Sequence, residues 1–266
     1  MAFKPSIKKV AVDITQLRIY IRGVKKWGKT DLCIRVGKSV APNPGEFLYL
    51  GTGVESGDSL QNNLFSSHIQ EWNDLKELMD WLTSEDEDAK KVKMICLDTV
   101  DELIPIVEKE VCESWERKSR KPCSSINEAY GGFGRGQAEA CSLIKKLFFD
   151  IHRMGIGIMV IGHTKLKTVI DKGNEGTEGY QILTSNLQGN YESVFSDIFD
   201  CVLTGVIDRD IQDGVATQDA RKLYFRGNTR VDAGCRFIED SIPEYMIYDG
   251  RKSVSEFIGI IEKGMR

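Results

Sequence analysis

An α/β domain, with a mainly parallel central sheet covered by helices on both faces, is predicted by three features of the sequence. Strand-like and helix-like segments alternate along the chain. The apolar runs that end at Asp98 and His163 contain almost no polar residue, as strands buried on both faces require. Between a β-branched run and a helical one stands a tight glycine-bounded turn, "GVKKWGKT". A chain of 266 residues suits one large domain. Its core is expected over about 15–230, with 231–266 completing a sheet edge and adding a helix.

The elements follow in order. "KVAVDITQLRIYIRG" is rich in β-branched residues and reads as a strand ending at Gly23. "KTDLCIRVGKSV" reads as the next helix and stops near "APNPGE", where prolines and a glycine intervene. "FLYLGTG" is a short buried strand and "HIQEW" another short strand. Asn73 is placed to cap the helix "DLKELMDWLTSE", whose Leu75, Leu78, Met79 and Leu82 keep helical spacing. After the charged connection "SEDEDAKK", "VKMICLD" is a strand and "DELIPIVEKEVCESWERK" a helix with Pro105 in its first turns. "SRKPCSSINEAYGGFGRGQ" lacks periodicity and reads as a mobile loop. "AEACSLIKKLFFDIHRMG" returns to helix, with Gly155 as its stop. "IGIMVIGH" is the next buried strand, and "KLKTVIDKGNEGTEGYQILTSN" a second long polar loop. "YESVFSDIFD" is a helix, "CVLTGVID" a strand, "RKLYFRGNTRV" a strand or hairpin, and "SVSEFIGIIEKGMR" a closing helix.

Composition narrows the function classes. The net charge of −4 provides no general basic surface, so any contact with nucleic acid must come from local basic loops. No run of about 18 apolar residues predicts a membrane span, and "MAFKPSIKKV" lacks an apolar signal core, so a cytoplasmic protein is expected. The seven cysteines are scattered without a C-x-x-C pair and only three histidines are present. Core thiols are therefore expected, not a zinc site.

The turn between the first strand and helix fits G-x-x-x-x-G-K-[ST] from Gly23 through Val24, Lys25, Lys26, Trp27, Gly28 and Lys29 to Thr30, with Asp31 following. Its context, strand before and helix after, is the one in which this pattern cradles a nucleoside triphosphate. Gly23 and Gly28 let successive N–H groups turn inward, Lys29 reaches the β- and γ-phosphates, and Thr30 can ligate Mg²⁺ at the positive end of the helix. ATP and Mg²⁺ are the expected ligands. Asp98, at the end of a buried strand, is the expected second carboxylate for the metal. A glutamate to orient water is missing directly after it, where Thr99 stands. Glu55, beyond "FLYLGTG", is the candidate and Glu102 its competitor. His163 would lie beside the γ-phosphate if its strand neighbours that of Asp98. Trp27 occupies a position where a small residue is usual, and its ring is expected to point outward, onto the nucleotide or a neighbouring subunit.

In this order, "GVKKWGKT", "FLYLGTGVES", "MICLDTVDEL" and "EAYGGFGRGQAEACSLIKKLFFDIHRMGIGIMVIGHTK" resemble the RecA-like core ATPases. More narrowly they resemble phage-encoded AAA-domain proteins that include Sak-type single-strand annealing ATPases. The resemblance covers roughly 15–230. It implies a RecA-like P-loop NTPase core, Mg-ATP, a homo-oligomer around single-stranded DNA, and annealing or strand exchange, with phage single-strand-binding or replication proteins as further partners. It places DNA contacts in loops 118–136 and 165–190. The first offers Arg117, Lys118, Arg120, Lys121 and Arg135 beside Tyr130 and Phe133, cations for phosphates and rings for bases. In the second, Lys165, Lys167 and Lys172 are balanced by Asp171, Glu175 and Glu178. It also implies a cation from the next subunit, for which Arg226 and Arg230 are candidates. The sequence departs from the family where "GTGVE" sets Glu55 a little late. Two rival functions are an ATPase that loads or remodels a replication protein and a nucleotide-gated binding module with little hydrolysis.

Overall fold

The computed structural model describes residues 13–54, 63–170, 179–212, 215–237 and 239–265. Among the described residues ten strands form the sheet, in the order β10-β8-β7-β1-β5-β4-β2-β3, with β6 paired to β5 and β9 to β7. These are β1 (Arg18–Gly23), β2 (Phe47–Thr52), β3 (Ser66–Ile69), β4 (Met94–Asp98), β5 (Gly157–Val169), β6 (Tyr180–Ser185), β7 (Cys201–Gln212), β8 (Val215–Tyr224), β9 (Gly234–Cys235) and β10 (Tyr245–Ile247). From β7 to β3 every neighbouring pair on this path is parallel. The helices are α1 (Lys29–Val40), α2 (Trp72–Leu82), α3 (Val100–Ser119), α4 (Arg135–Arg153), α5 (Gly189–Ile198) and α6 (Ser253–Gly264). Strand β5 lies between β1 and β4, so one strand separates the glycine-bounded turn from Asp98. This is the strand arrangement of a RecA-like P-loop core.

The sheet is covered on both faces because its strands are apolar on both. Leu75 of α2, Val107 of α3, Phe148 of α4 and Phe195 of α5 pack on one side with Tyr20, Leu97 and Val160. On the other side Leu32 of α1 and Phe257 of α6 pack with Ile21, Met159 and Leu203. Among the described residues no helix is long and apolar enough to cross a membrane.

Several elements differ from the sequence expectation. The first strand begins only at Arg18, after a 3-10 turn at Ile14–Gln16. The "HIQEW" strand ends at Ile69, and α2 starts earlier than Asn73, with Glu71 as its cap. Glu71 and Asp74 form a reciprocal capping box, so Asn73 falls in the first turn, where its amide donates to Glu77 at 2.7 Å. Helix α3 continues to Ser119, so Arg117 and Lys118 are helical and only 120–134 is a loop. That loop is packed: a Cβ at Gly136 would come within 2.1 Å of the Ile126 carbonyl oxygen, so its backbone lies directly on α4. The second polar stretch is largely a hairpin. β5 runs past His163 to Val169 and pairs antiparallel with β6, from Thr164↔Ser185 to Val169↔Tyr180. "CVLTGVID" and "RKLYF" are the arms of a longer hairpin, β7 with β8.

Candidate nucleotide site

The turn after β1 is shaped by its two glycines. A Cβ on Gly23 would meet the Gly205 carbonyl oxygen at 2.8 Å, so β1 and β7 approach too closely there for any side chain. Gly28 caps α1 at φ 108°, in the left-handed region. Lys29 is buried, and its Nζ donates to the carbonyls of Gly23 at 3.0 Å and Val24 at 3.2 Å. The ammonium is thereby held inside the concavity that a phosphate chain would fill. Lys25 and Lys26 are exposed on the turn, with Lys26 at φ 63°.

Thr30 and Asp98 meet across the site. The Thr30 hydroxyl donates to Asp98 Oδ2 at 2.6 Å, and the Tyr49 hydroxyl donates to the same oxygen at 2.8 Å. Burial pushes the Asp98 carboxyl above the usual range, against the lowering pull of these hydroxyls and of Lys29. Among the described residues no cluster of three or more His, Cys, Asp or Glu side chains is arranged to hold a metal. Thr30 and Asp98 are hard oxygen donors suited to Mg²⁺, which would draw its remaining oxygens from phosphates and water.

His163 lies level with Gly23 on the neighbouring strand, and Asp98 is level with Ile161 of the same strand. Its position is fixed by Asp101, which sequence reasoning missed. Asp101 Oδ2 accepts from the His163 backbone N–H at 2.9 Å and faces its Nδ1 at 3.1 Å, while Oδ1 accepts from the Asn186 amide at 3.2 Å. The Asn186 N–H in turn donates to the His163 carbonyl at 2.9 Å. One carboxylate thus ties the start of α3 to both ends of the β5–β6 hairpin. The available signal was its place one turn after the expected metal aspartate.

Burial alone would raise the Asp101 carboxyl, but the hydrogen bonds from His163 and Asn186 and the histidine's charge outweigh it and hold it below its usual range. A depressed folded value contributes stability that is present at neutral pH and lost as pH falls through it. Asp101→Asn is therefore expected to cost about 1–3 kcal/mol at pH 7. In pH-dependent thermal unfolding the gap to wild type should shrink below about pH 4. A gap that stays constant on acidification would exclude this role.

The end of β2 is pinned to the end of β4. The Thr99 N–H donates to the Thr52 hydroxyl at 2.7 Å, and that hydroxyl donates to the Thr99 carbonyl at 2.6 Å. Gly53 follows at φ 60°, and a Cβ there would overlap Glu102 Oε2 at 2.2 Å. Glu102 therefore sits against the tip of β2, the strand that pairs with that of Asp98. Glu55 lies outside the described residues.

Trp27 corrects the expectation of an outward ring. It is fully buried, stacked on Tyr248 with centroids 5.0 Å apart and planes 22° apart. Its Nε1 donates to the Val206 carbonyl at 3.1 Å, and Gly205 leaves room for its face. The ring is an anchor inside the chain, so it neither covers a nucleotide nor meets another subunit. Asp31 is likewise engaged, accepting from Arg35 at 2.7 Å and from the Tyr248 hydroxyl at 2.7 Å.

Another buried charge went unforeseen. Arg22 is fully buried on β1 and bonds Glu192 at 3.1 Å, Thr204 at 3.1 Å and the Asp232 carboxylate at 2.6 Å. Arg226 and Arg230 follow the end of β8, which runs antiparallel to β7 and so leads away from their own phosphate loop. Arg226 Nε is buried without a hydrogen-bond partner among the described residues, and Arg230 is exposed.

The basic and aromatic candidates are only partly at liberty. Arg117 pairs with Glu110 at 3.1 Å, and Lys118 lies 5.6 Å above the Tyr130 ring, which itself packs on Trp115 at 5.0 Å. Arg120, Lys121, Arg135 and Lys167 are exposed, and Lys165 donates to the Asn186 carbonyl at 3.0 Å. Phe133 is 99% exposed, between Gly132 and Gly134, both at positive φ.

The family model described as an AAA domain matches residues 15–237. No curated protein matches the chain. The match spans the strand carrying the phosphate loop, Asp98, His163 and the β7–β8 hairpin, and the chain belongs to the AAA-domain family, whose members are nucleotide-binding P-loop proteins.

Proposed function

From that membership we propose that the protein is a Mg²⁺-dependent ATPase of phage RecA-like type, acting on single-stranded DNA in annealing or strand exchange. In this reading Lys29 holds the β- and γ-phosphates and Thr30 and Asp98 hold the metal. Glu55 orients the attacking water, with Glu102 as the alternative beside Gly53. His163 reads the γ-phosphate, and Arg226 or Arg230 reaches the site of an adjacent copy in a homo-oligomer.

One observation carries the DNA part: the link through Asp101 from His163 to Asn186 at the base of the β5–β6 hairpin. A change in contacts at His163 is felt by a carboxylate that also holds the hairpin. The second supporting segment is the 120–134 loop, which presents Phe133 to solvent and carries exposed Arg120 and Lys121, with exposed Arg135 directly after it. Helix α4, which follows that loop, reaches the start of α5 just after the hairpin, where Cys141 Sγ contacts the Asn190 carbonyl at 3.6 Å. A segment that exposes both a ring and cations suits a single strand, since every base offers a stacking face.

A labelled single-stranded oligonucleotide titrated at two salt concentrations, with and without ATP, tests this. Binding that weakens with salt and a raised ATPase rate in its presence are expected. No binding under either nucleotide condition would favour an ATPase that loads or remodels another protein. DNA binding without turnover would favour a nucleotide-gated binding module.

A further inference from the structure

We propose that Arg221 is a nucleotide-binding residue supplied by the same chain, gripping the α-phosphate end of the bound nucleoside triphosphate. This inference rests on the nucleotide reading of the phosphate loop. Arg221 lies on β8 and pairs with Ile207 of β7, two residues beyond the Gly205 that pairs with Gly23. It therefore stands level with the turn itself, past the end of β1. A Cβ built on Gly28 would come within 3.4 Å of Arg221 Nη1 and 3.2 Å of the Tyr248 ring. The guanidinium thus lies beside the loop at Gly28, close enough that even a single added methyl would be in van der Waals contact with it.

Two features hold Arg221 there. Its carbonyl accepts from the Tyr248 N–H at 2.7 Å, and Tyr248 is stacked on Trp27 and bonded to Asp31. Asp31 feels the charge of Arg221, but that carboxylate is already engaged by Arg35 and Tyr248. Arg221 is exposed, and among the described residues no side chain hydrogen-bonds its guanidinium. A guanidinium at the rim of an anion cradle, without a committed partner, is suited to a phosphate.

The sheet decides which phosphate. Asp98 lies two strands from β1 on one side, and Arg221 lies two strands from β1 on the other. The metal and γ-phosphate belong on the Asp98 side, with Thr30 and His163. The opposite end of the chain of phosphates, and the nucleoside, then exit toward β7 and β8. A contact there is made equally to ATP and ADP, unlike a cation aimed at the γ-phosphate.

The test is calorimetric titration of Mg-ATP and Mg-ADP against wild type, Arg221→Ala, Arg221→Lys and, as a charge-matched control, Arg209→Ala. Arg209 is an exposed arginine on β7, paired with Asp219. Arg221→Ala is expected to weaken both nucleotides by the same factor, about tenfold to a hundredfold. Arg221→Lys should fall between, since an ammonium keeps the charge without the fork. Arg209→Ala should match wild type. Unchanged affinity in Arg221→Ala, or a loss confined to ATP, would overturn the assignment. Wild type binding neither nucleotide would instead overturn the nucleotide reading itself.

Discussion

Lys29→Ala is expected to reduce Mg-ATP affinity by about a hundredfold or more, the equivalent of roughly 3 kcal/mol. The ammonium is buried and already faces inward, bonded to the Gly23 and Val24 carbonyls at 3.0 and 3.2 Å. A triphosphate entering the loop offers it a stronger acceptor than these neutral oxygens, in a site largely shielded from water. The loss therefore combines charge and placement. The variant also removes a donor from two loop carbonyls, so its unfolding midpoint should be measured beside the nucleotide titration. Lys29→Met keeps the apolar stem but also lacks the donor, so the pair of variants separates lost packing from the lost ammonium: affinity should be low in both, and the midpoint higher in Lys29→Met than in Lys29→Ala only by the packing of the stem. Retained ATP affinity in either variant would remove the phosphate loop from the site, and with it the proposed ATPase.

How far the sequence foretold this site depended on chain distance. The phosphate loop was legible because its geometry is local: Gly23 and Gly28 are needed for backbone reasons, and Lys29 and Thr30 follow within one helical turn. Asp98 and His163 were legible because each ends an apolar run, and the sheet then sets their strands side by side. The polar stretches were harder. Glycine and lysine content suggested loops, but whether "HTKLKTV" forms a strand is decided by a partner, and β6 supplies it over Thr164–Val169. Arg22 gave no signal at all, because its partners Glu192, Thr204 and Asp232 are brought to it only by the finished fold. Asp101 stood in plain view as an ordinary acidic residue in the first turn of α3; only the register of β5 shows that it holds His163.

Trp27→Ala is expected to destabilise the fold by about 3–5 kcal/mol, lowering the unfolding midpoint on the order of 10 °C. The indole is fully buried, so its removal leaves a large cavity next to the phosphate loop. It also removes the stacking on Tyr248 and leaves the Val206 carbonyl without its donor. Gly205 supplies the complementary half of the arrangement: a Cβ there would sit 2.7 Å from Trp27 Cδ2. Gly205→Ala should therefore also destabilise, by overpacking rather than by a void. In Gly205→Ala/Trp27→Phe, the smaller ring makes room for the added methyl, so the two costs should sum to less than their separate values. Full additivity would show that ring and glycine do not share one space. The bulky residue in so tight a turn is then explained by what lies far along the chain. Tyr248 and Gly205 together build a slot that fixes the loop from beneath, so loosening the slot should weaken nucleotide binding and stability together. An unfolding midpoint unaffected by Trp27→Ala would return the ring to the surface and leave the loop without this anchor.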